Sequence, residues 1–331
     1  MLGRRVTDVR VLGGTSGTTD RCRLAVTGDD LPATVFVKTA ATDTGTRFFG
    51  SLARLGEVEV GFYRDLRPGL GIEAPQAVGA HFDSRTGRFV IVLEDLTARS
   101  ATFADTRTPL SPDELASALS TLAGLHGGSH RAWPSVGWLA TNSGDALLPL
   151  VAAVLPRLGR RVAQRDPTLV ARDDALLLRG YRRWASLLDE GPQAVLHGDP
   201  HPGNLYLLGD RVGLLDWQAV RRGNPVRDAS YLIVLGLDVE ARRRVERDLL
   251  DHYRGELVAA GGPGLSTDDV WQTHRRMSGY AYVAATFTYG LGGLQGDEIA
   301  DTGLRRSVAA VDDLDPAGAL GLSRPPDPTR A

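Results

Sequence analysis

A-V-L-H-G-D-P-H-P-G-N-L-Y-L-L-G-D-R-V-G-L-L-D-W-Q-A-V, residues 194 to 220, sets a few polar side chains between apolar runs. The run before His197 reads as a strand entry. Leu205 to Leu208 and Val212 to Leu215 read as two short strands, with Gly209-Asp210 as the hairpin turn between them. Asp199 and Asn204 then fall in the loop before the hairpin, and Asp216 falls at its exit. An Asx-rich turn accounts for any one of the three. It does not account for all three at these offsets.

His197, Asp199 and Asn204 keep the spacing of the protein-kinase catalytic loop H-R-D-L-x-x-x-N, and Asp216-Trp217-Gln218 stands where D-F-G would follow. The segment resembles the aminoglycoside phosphotransferase and choline-kinase-like families of small-molecule kinases. Its L-L-D-W-Q form most resembles the ecdysteroid-kinase-like branch. The resemblance implies that Asp199 orients the acceptor hydroxyl and takes its proton, and that Asn204 and Asp216 hold Mg²⁺. These residue types suit the chemistry, because phosphoryl transfer asks for positioning and charge neutralisation, and Mg²⁺ takes hard oxygen ligands shared with substrate phosphates. Gly198 in place of the arginine of H-R-D, D-W-Q in place of D-F-G, and no following A-P-E point to a small-molecule acceptor.

A competing reading is metal-dependent hydrolysis, since His197, Asp199 and His201 alternate and would share a face of an extended chain. Pro200 and Pro202 argue against a regular paired strand there. In the kinase reading His197 organises the loop by bonding to backbone or to Asp228, and His201 lines the phosphate site.

Composition bounds the rest. At 331 residues the chain exceeds what one growing core accommodates, so two lobes with a cleft are expected. A hydrophobic fraction of 42% and a charged fraction of 24% are those of a globular protein. No apolar run reaches the length of a membrane span, and the N-terminus has no apolar signal core, which predicts a cytoplasmic protein without a membrane partner. A net charge of -2 argues against nucleic acid as a partner. Cys22 is the only cysteine, which excludes disulfides within the chain. Among 38 basic residues there is one lysine, Lys38, and it lies in the apolar run Ala33-Thr-Val-Phe-Val-Lys38. An ammonium is not interchangeable with a guanidinium in a tight site.

Along the chain, Val9 to Leu12 and Arg21 to Val26 read as strands flanking a glycine- and hydroxyl-rich loop, Gly13 to Thr19. Its members Gly14, Thr15, Ser16, Gly17 and Thr18 are candidates to lay backbone N–H groups over phosphates, or to form a flexible hairpin tip. Val35 to Lys38 resembles the kinase V-A-I-K strand, which makes Lys38 the phosphate-pairing lysine. Residues 46 to 66 show helical apolar spacing. Within them the run E-V-G-F-Y resembles the family's helix in which Glu precedes Phe-Tyr by two residues, which makes Glu59 the partner of Lys38, with Glu57 as the alternative. Phe89 to Leu96 reads as a strand entering a hinge, where the resemblance places adenine contacts at Glu94, Asp95 and Leu96.

Ser111-Pro-Asp-Glu114 is a capping box, and His126 on the helix that follows reads as a core histidine. Further helices are predicted over 146–164, 168–188, 239–260 and 267–291. The last is rich in aromatics, which either line an acceptor pocket or pack in the core. Gly223-Asn-Pro-Val-Arg-Asp228-Ala-Ser-Tyr resembles the family's G-D-P-x-x-D-L-A segment, which makes Asp228 a structural carboxylate.

The expected fold is α+β and bilobal, protein-kinase-like: residues 1–98 a small antiparallel-sheet lobe ending in the hinge, 99–312 a mainly helical lobe, and 313–331 a loosely ordered tail. The expected activity is transfer of the γ-phosphoryl group of ATP, with Mg²⁺, to a hydroxyl of a metabolite, natural product or antibiotic, by a monomer or homodimer. A nucleotide-binding pseudokinase is the alternative from a different class.

Overall fold

The structure is a computed structural model and describes residues 5–130 and 136–322. The N-terminal lobe is a five-stranded antiparallel sheet in the order β1-β2-β3-β5-β4, formed by β1 (Val6–Ser16), β2 (Thr19–Gly28), β3 (Thr34–Ala40), β4 (Ala77–Asp83) and β5 (Arg88–Glu94). In β3, Val35 and Val37 are buried while Phe36 and Lys38 face a cleft, the two-residue alternation of a strand. The β2–β3 register sets Arg21 opposite Lys38 and Arg23 opposite Phe36.

Two expectations for this lobe change. The glycine-rich stretch expected as a loop is strand through Ser16, which pairs with Asp20, so only Gly17 and Thr18 make the turn. The pairing of Gly14 with Cys22 explains one glycine, because a Cβ at Gly14 would press on the carbonyl oxygen of Arg21. The single helix expected over 46–66 is broken into α1 (Thr44–Leu52) and α2 (Leu55–Gly61), followed by a π turn, Phe62–Leu66. The break falls at Arg54, whose φ of 56° no helix accepts. That break rotates α2 so that Glu59 points under the sheet.

β5 runs into a short 3-10 turn, Leu96–Arg99, capped by the Asp95 side chain, and then into β6 (Thr102–Phe103). The C-terminal lobe is helical: α3 (Pro112–His130), α4 (Leu148–Arg165) and α5 (Asp174–Trp184) precede the quoted segment. Ser111 and Glu114 bond reciprocally at the start of α3, the capping box in full. The segment itself supplies β7 (Ala194–Leu196), β8 (Leu205–Leu208), β9 (Arg211–Leu214) and β10 (Arg221–Gly223). Then come α6 (Val226–Gly236), α7 (Val239–Ala259), α8 (Thr267–Leu291), α9 (Asp297–Leu314) and α10 (Pro316–Ala319).

One hydrophobic core joins the lobes, from Phe62 and Ile91 through Leu119 and Leu122 to Trp217 and Leu232. A second fills the space between α4, α5, α8 and α9. Residues 313–322, expected as the start of a tail, are packed instead. Asp313 pairs with Arg242 and Arg243 of α7, and Leu314 and Ala317 are buried, because the apolar stripe of α9 continues past residue 312. Residues 323–331 of that expected tail lie outside the described residues. Among the described residues no helix is long and apolar enough to cross a membrane.

Candidate active site

The loop after β7 turns at Gly198, whose φ is 89° and whose Cα lies so close to the Ala219 carbonyl that a Cβ would collide with it. Three neighbours hold this turn. The Gly198 N–H donates to Asp228 Oδ2 at 3.2 Å, Arg227 donates to the Gly198 carbonyl at 3.2 Å, and His126 lies 3.4 Å from Asp228 Oδ2. Asp228 is fully buried; burial pushes its carboxyl up, but His126, Arg227 and His197 more than offset this and hold it below the usual range.

His197 is buried and neutral. Burial lowers its pKa, its Nε2–H donates to the Leu215 carbonyl at 2.7 Å, and its Nδ1 accepts from the Asp199 N–H at 3.3 Å. Both ring nitrogens are thereby engaged by backbone. His197, Asp199 and His201 do not form a ligand face, and among the described residues no cluster of three or more His, Cys, Asp or Glu side chains is placed to hold a metal ion. The hydrolase reading has no support in this geometry.

Asp199 is about one-third exposed, at 34%. Asn204 Nδ2 donates to the Asp199 carbonyl at 2.9 Å and lies 3.4 Å from its carboxylate. The Asn204 carbonyl in turn accepts from Leu215 N–H at 2.8 Å, which brings Asn204 beside the next residue, Asp216. Asp216 is held in the left-handed region, φ 60°. The burial of Trp217 against Phe62 and His197 fixes it there.

Lys38 joins this group from the other lobe. Its Nζ lies 2.6 Å from Glu59 Oε1 and 3.0 Å from Asp216 Oδ1, while Arg21 reaches Asp216 Oδ2 at 3.4 Å. Burial would discharge Lys38, but Asp216 and Glu59 outweigh it and raise its pKa. Burial likewise works against the Asp216 carboxylate, and Lys38 and Arg21 hold its pKa down. Burial pushes the Glu59 carboxyl up against the pull of Lys38, and its Oε2 is buried without a hydrogen-bond partner. The choice between Glu57 and Glu59 is made by α2: Glu57 is turned outward onto Arg54, at 2.8 Å and 2.9 Å.

These groups line one end of a cavity of about 220 Å³ between the lobes. Lys38, Glu59, Asn204 and Asp216 make that end polar; Phe36, Leu93, Leu96 and Phe103 make the rest an apolar slot. Glu94, Asp95 and Leu96 line it as well, whereas Gly14, Thr15, Ser16, Gly17, Thr18 and Asp199 do not. The Glu94 carboxylate is spent on Gln76 N–H and Arg99, and buried Asp95 accepts from Arg23 at 2.8 Å and 3.0 Å. Arg21 and Arg23 escaped the sequence reading. Their two-residue spacing, set against the Lys38 strand across a short turn, is the signal that would have found them.

His201 lies on the far side of Asp199, its Nε2 3.7 Å from Asp199 Oδ2 and 3.4 Å from Gln295 Nε2. Gln295 opens onto a second crevice of about 720 Å³, lined by Arg107, Arg165, Tyr289, Asp297, Glu298 and Asp301. Of the α8 aromatics, Tyr289 faces this crevice, Tyr280 lies under Arg227, and Tyr282 is buried on Asp174.

The sequence pattern that defines the phosphotransferase enzyme family matches residues 25–276. No curated protein matches the chain. Solved structures share its fold at low identity. The choline kinase from Cryptosporidium parvum Iowa II has a TM-score of 0.54 and 10% identity, over 96% of this chain and 92% of that one. Amicoumacin kinase hAmiN, in complex with AMP-PNP, Ca²⁺ and Ami, has a TM-score of 0.54 and 15% identity over 91% and 87%. Choline kinase LicA from Streptococcus pneumoniae has a TM-score of 0.50 and 16% identity over 94% of each chain.

Proposed function

Because the chain belongs to the phosphotransferase enzyme family, and is thus a small-molecule kinase, we propose that it moves the γ-phosphoryl group of ATP to a hydroxyl of a small acceptor. The observation that carries this reading is the cavity with a charged, oxygen-rich end and an apolar slot. Lys38, Asn204 and Asp216 meet at the one and Phe36, Leu93 and Leu96 at the other. A nucleoside triphosphate has that division of chemistry: a flat ring to shelve and a chain of charge to neutralise.

On this reading the hinge lies at residues 94–98, and backbone groups of Glu94, Asp95 and Leu96 meet the base. Lys38, fixed by Glu59, meets phosphate oxygens. Asn204 and Asp216 fit Mg²⁺ as hard donors lining the same cavity, with Asn204 Nδ2 already spent on Asp199 and its amide oxygen left for a cation. Mg²⁺ supplies neutralisation of the charge on the transferring group. Asp199 stands outside the nucleotide cavity, between Asn204 and the second crevice, and there it orients the acceptor hydroxyl and receives its proton. The backbone contacts that hold His197 and Asp228 keep Asp199 in register with that task.

The second crevice supports the acceptor site. Its three acids, Asp297, Glu298 and Asp301, are partly offset by Arg107 and Arg165, and Tyr289 offers a ring face, which suits a hydroxylated compound with both polar and apolar surface. The testing experiment incubates the protein with ATP and Mg²⁺ against pooled hydroxylated metabolites and antibiotics and follows the phosphoryl mass gain. A product formed by wild type and not by Asp199→Asn is the expected result. Failure of the wild type to bind nucleotide would overturn the reading.

A further inference from the structure

Arg21 projects from β2 on the face of the sheet that roofs the cleft, opposite Lys38 in the ladder. Its Nε donates to Thr19 Oγ1 at 3.2 Å, and Thr19 is buried, so the base of the guanidinium is fixed. Its Nη2 reaches Asp216 Oδ2 at 3.4 Å, while Lys38 Nζ holds Oδ1 at 3.0 Å. These contacts use two of the five guanidinium donors. Both oxygens of the carboxylate assigned to a metal ion are therefore met by protein cations.

A cation arriving at Asp216 competes with both for the carboxylate charge, and the two are not equally held. The Lys38 side chain is 5% exposed and locked onto Glu59 at 2.6 Å; that of Arg21 is 35% exposed and makes the longer contact. Arg21 gives way. A guanidinium released there, still anchored at Thr19 and still lining the cavity, has phosphate oxygens as its matching partner, because its fork pairs with them at two points.

We propose that Arg21 is a phosphate-holding residue of the nucleotide site, one that leaves Asp216 for the nucleotide's phosphate chain and acts as a second cation beside Lys38. As it stands in this structure, the same side chain pairs with Asp216 Oδ2 and offsets part of its charge. This inference rests on the nucleotide reading of the cavity.

The test is calorimetric titration of adenosine, ADP and ATP, with Mg²⁺, into the full-length wild type, Arg21→Gln, Arg21→Lys and Arg23→Gln. Arg21→Gln is expected to weaken ATP binding about tenfold, the effect of one charge-assisted contact, with a smaller loss for ADP and none for adenosine. Arg21→Lys recovers part of the loss, since it keeps charge without the fork. Arg23→Gln, whose partner is Asp95, is expected to weaken adenosine and ATP alike. Equal losses for adenosine and ATP in Arg21→Gln, or no loss in either, would overturn the proposal while leaving the nucleotide site standing. A wild type that binds none of the three would overturn the nucleotide reading and this proposal with it.

Discussion

Trp217 lies face to face with Phe62, with 3.8 Å between ring centroids and 6° between planes. Phe62 follows Glu59 by three residues, at the end of the same helical run, and Trp217 directly follows Asp216. One stacked pair thus sets the spacing of two carboxylates that come from distant parts of the chain and meet at Lys38. Both rings are fully buried, so the stack carries their burial energy as well as the ring contact.

Removing that ring is expected to be costly. Trp217→Ala should lower stability by about 3–5 kcal/mol, the usual result of emptying a buried aromatic site. Trp217→Phe should cost much less, because the indole Nε1 is buried without a partner and its loss relieves an unpaired donor. Denaturant unfolding of both variants decides it. A Trp217→Ala protein as stable as wild type would show that the stack does not hold Asp216.

Asp199→Asn separates binding from chemistry. The side chain does not line the cavity between the lobes, and the carboxamide keeps its size, so on the proposed reading ATP affinity should stay within about twofold. Turnover should fall by about 10²–10⁴, the range for loss of a positioned base. Single-turnover phosphorylation and nucleotide titration on the same preparation measure the two effects. Unchanged turnover would remove Asp199 from the role of base.

The sequence made the β8–β9 hairpin, the Asp199, Asn204 and Asp216 offsets, the Ser111 capping box and the helix over 267–291 readable, because each is written in local turn chemistry or periodicity. It did not reveal the break at Arg54, where a left-handed residue sits inside a continuous apolar period. The resemblance already favours Glu59 over Glu57; the break supplies the physical reason, turning Glu59 onto Lys38 and Glu57 onto Arg54. Arg21 and Arg23 were hidden for a different reason: their importance comes from strand register, which fixes what they face across the sheet. The packing of Asp313 onto Arg242 and Arg243 is likewise a contact between distant helices. Composition alone made that stretch read as a tail.

Acid stability should carry the signature of Asp228. Its folded carboxyl is held below the unfolded value of about 3.9, so near that pH the unfolded chain binds the additional proton and stability rises with pH. The contribution is complete above the unfolded value and is lost as pH falls through the folded one. Buried neutral His197 acts in the same direction, its own contribution present above an unfolded value of about 6.5 and fading below it. Urea unfolding from pH 3 to pH 7 should therefore show a steeper acid limb in wild type than in Asp228→Asn, which should also be less stable at neutral pH through the lost anchor on Gly198. Parallel acid limbs would place the proton uptake elsewhere.

Gly198 is where protein kinases carry the arginine of H-R-D, and the backbone explains why no side chain is accommodated here. Its φ of 89° is a glycine conformation, and a Cβ would strike the Ala219 carbonyl oxygen, part of the backbone and unable to rotate away. The same residue donates its N–H to Asp228 and receives Arg227 on its carbonyl, so a shift of the turn breaks both contacts and moves Asp199 with them. Gly198→Ala is expected to cost about 1–3 kcal/mol from backbone strain alone, measured as a lower denaturant midpoint, and to lower turnover more than nucleotide affinity, because the turn positions Asp199 and leaves the Lys38 cavity untouched. Wild-type stability and turnover in Gly198→Ala would show that the turn tolerates a side chain and that Asp199 is positioned by other means.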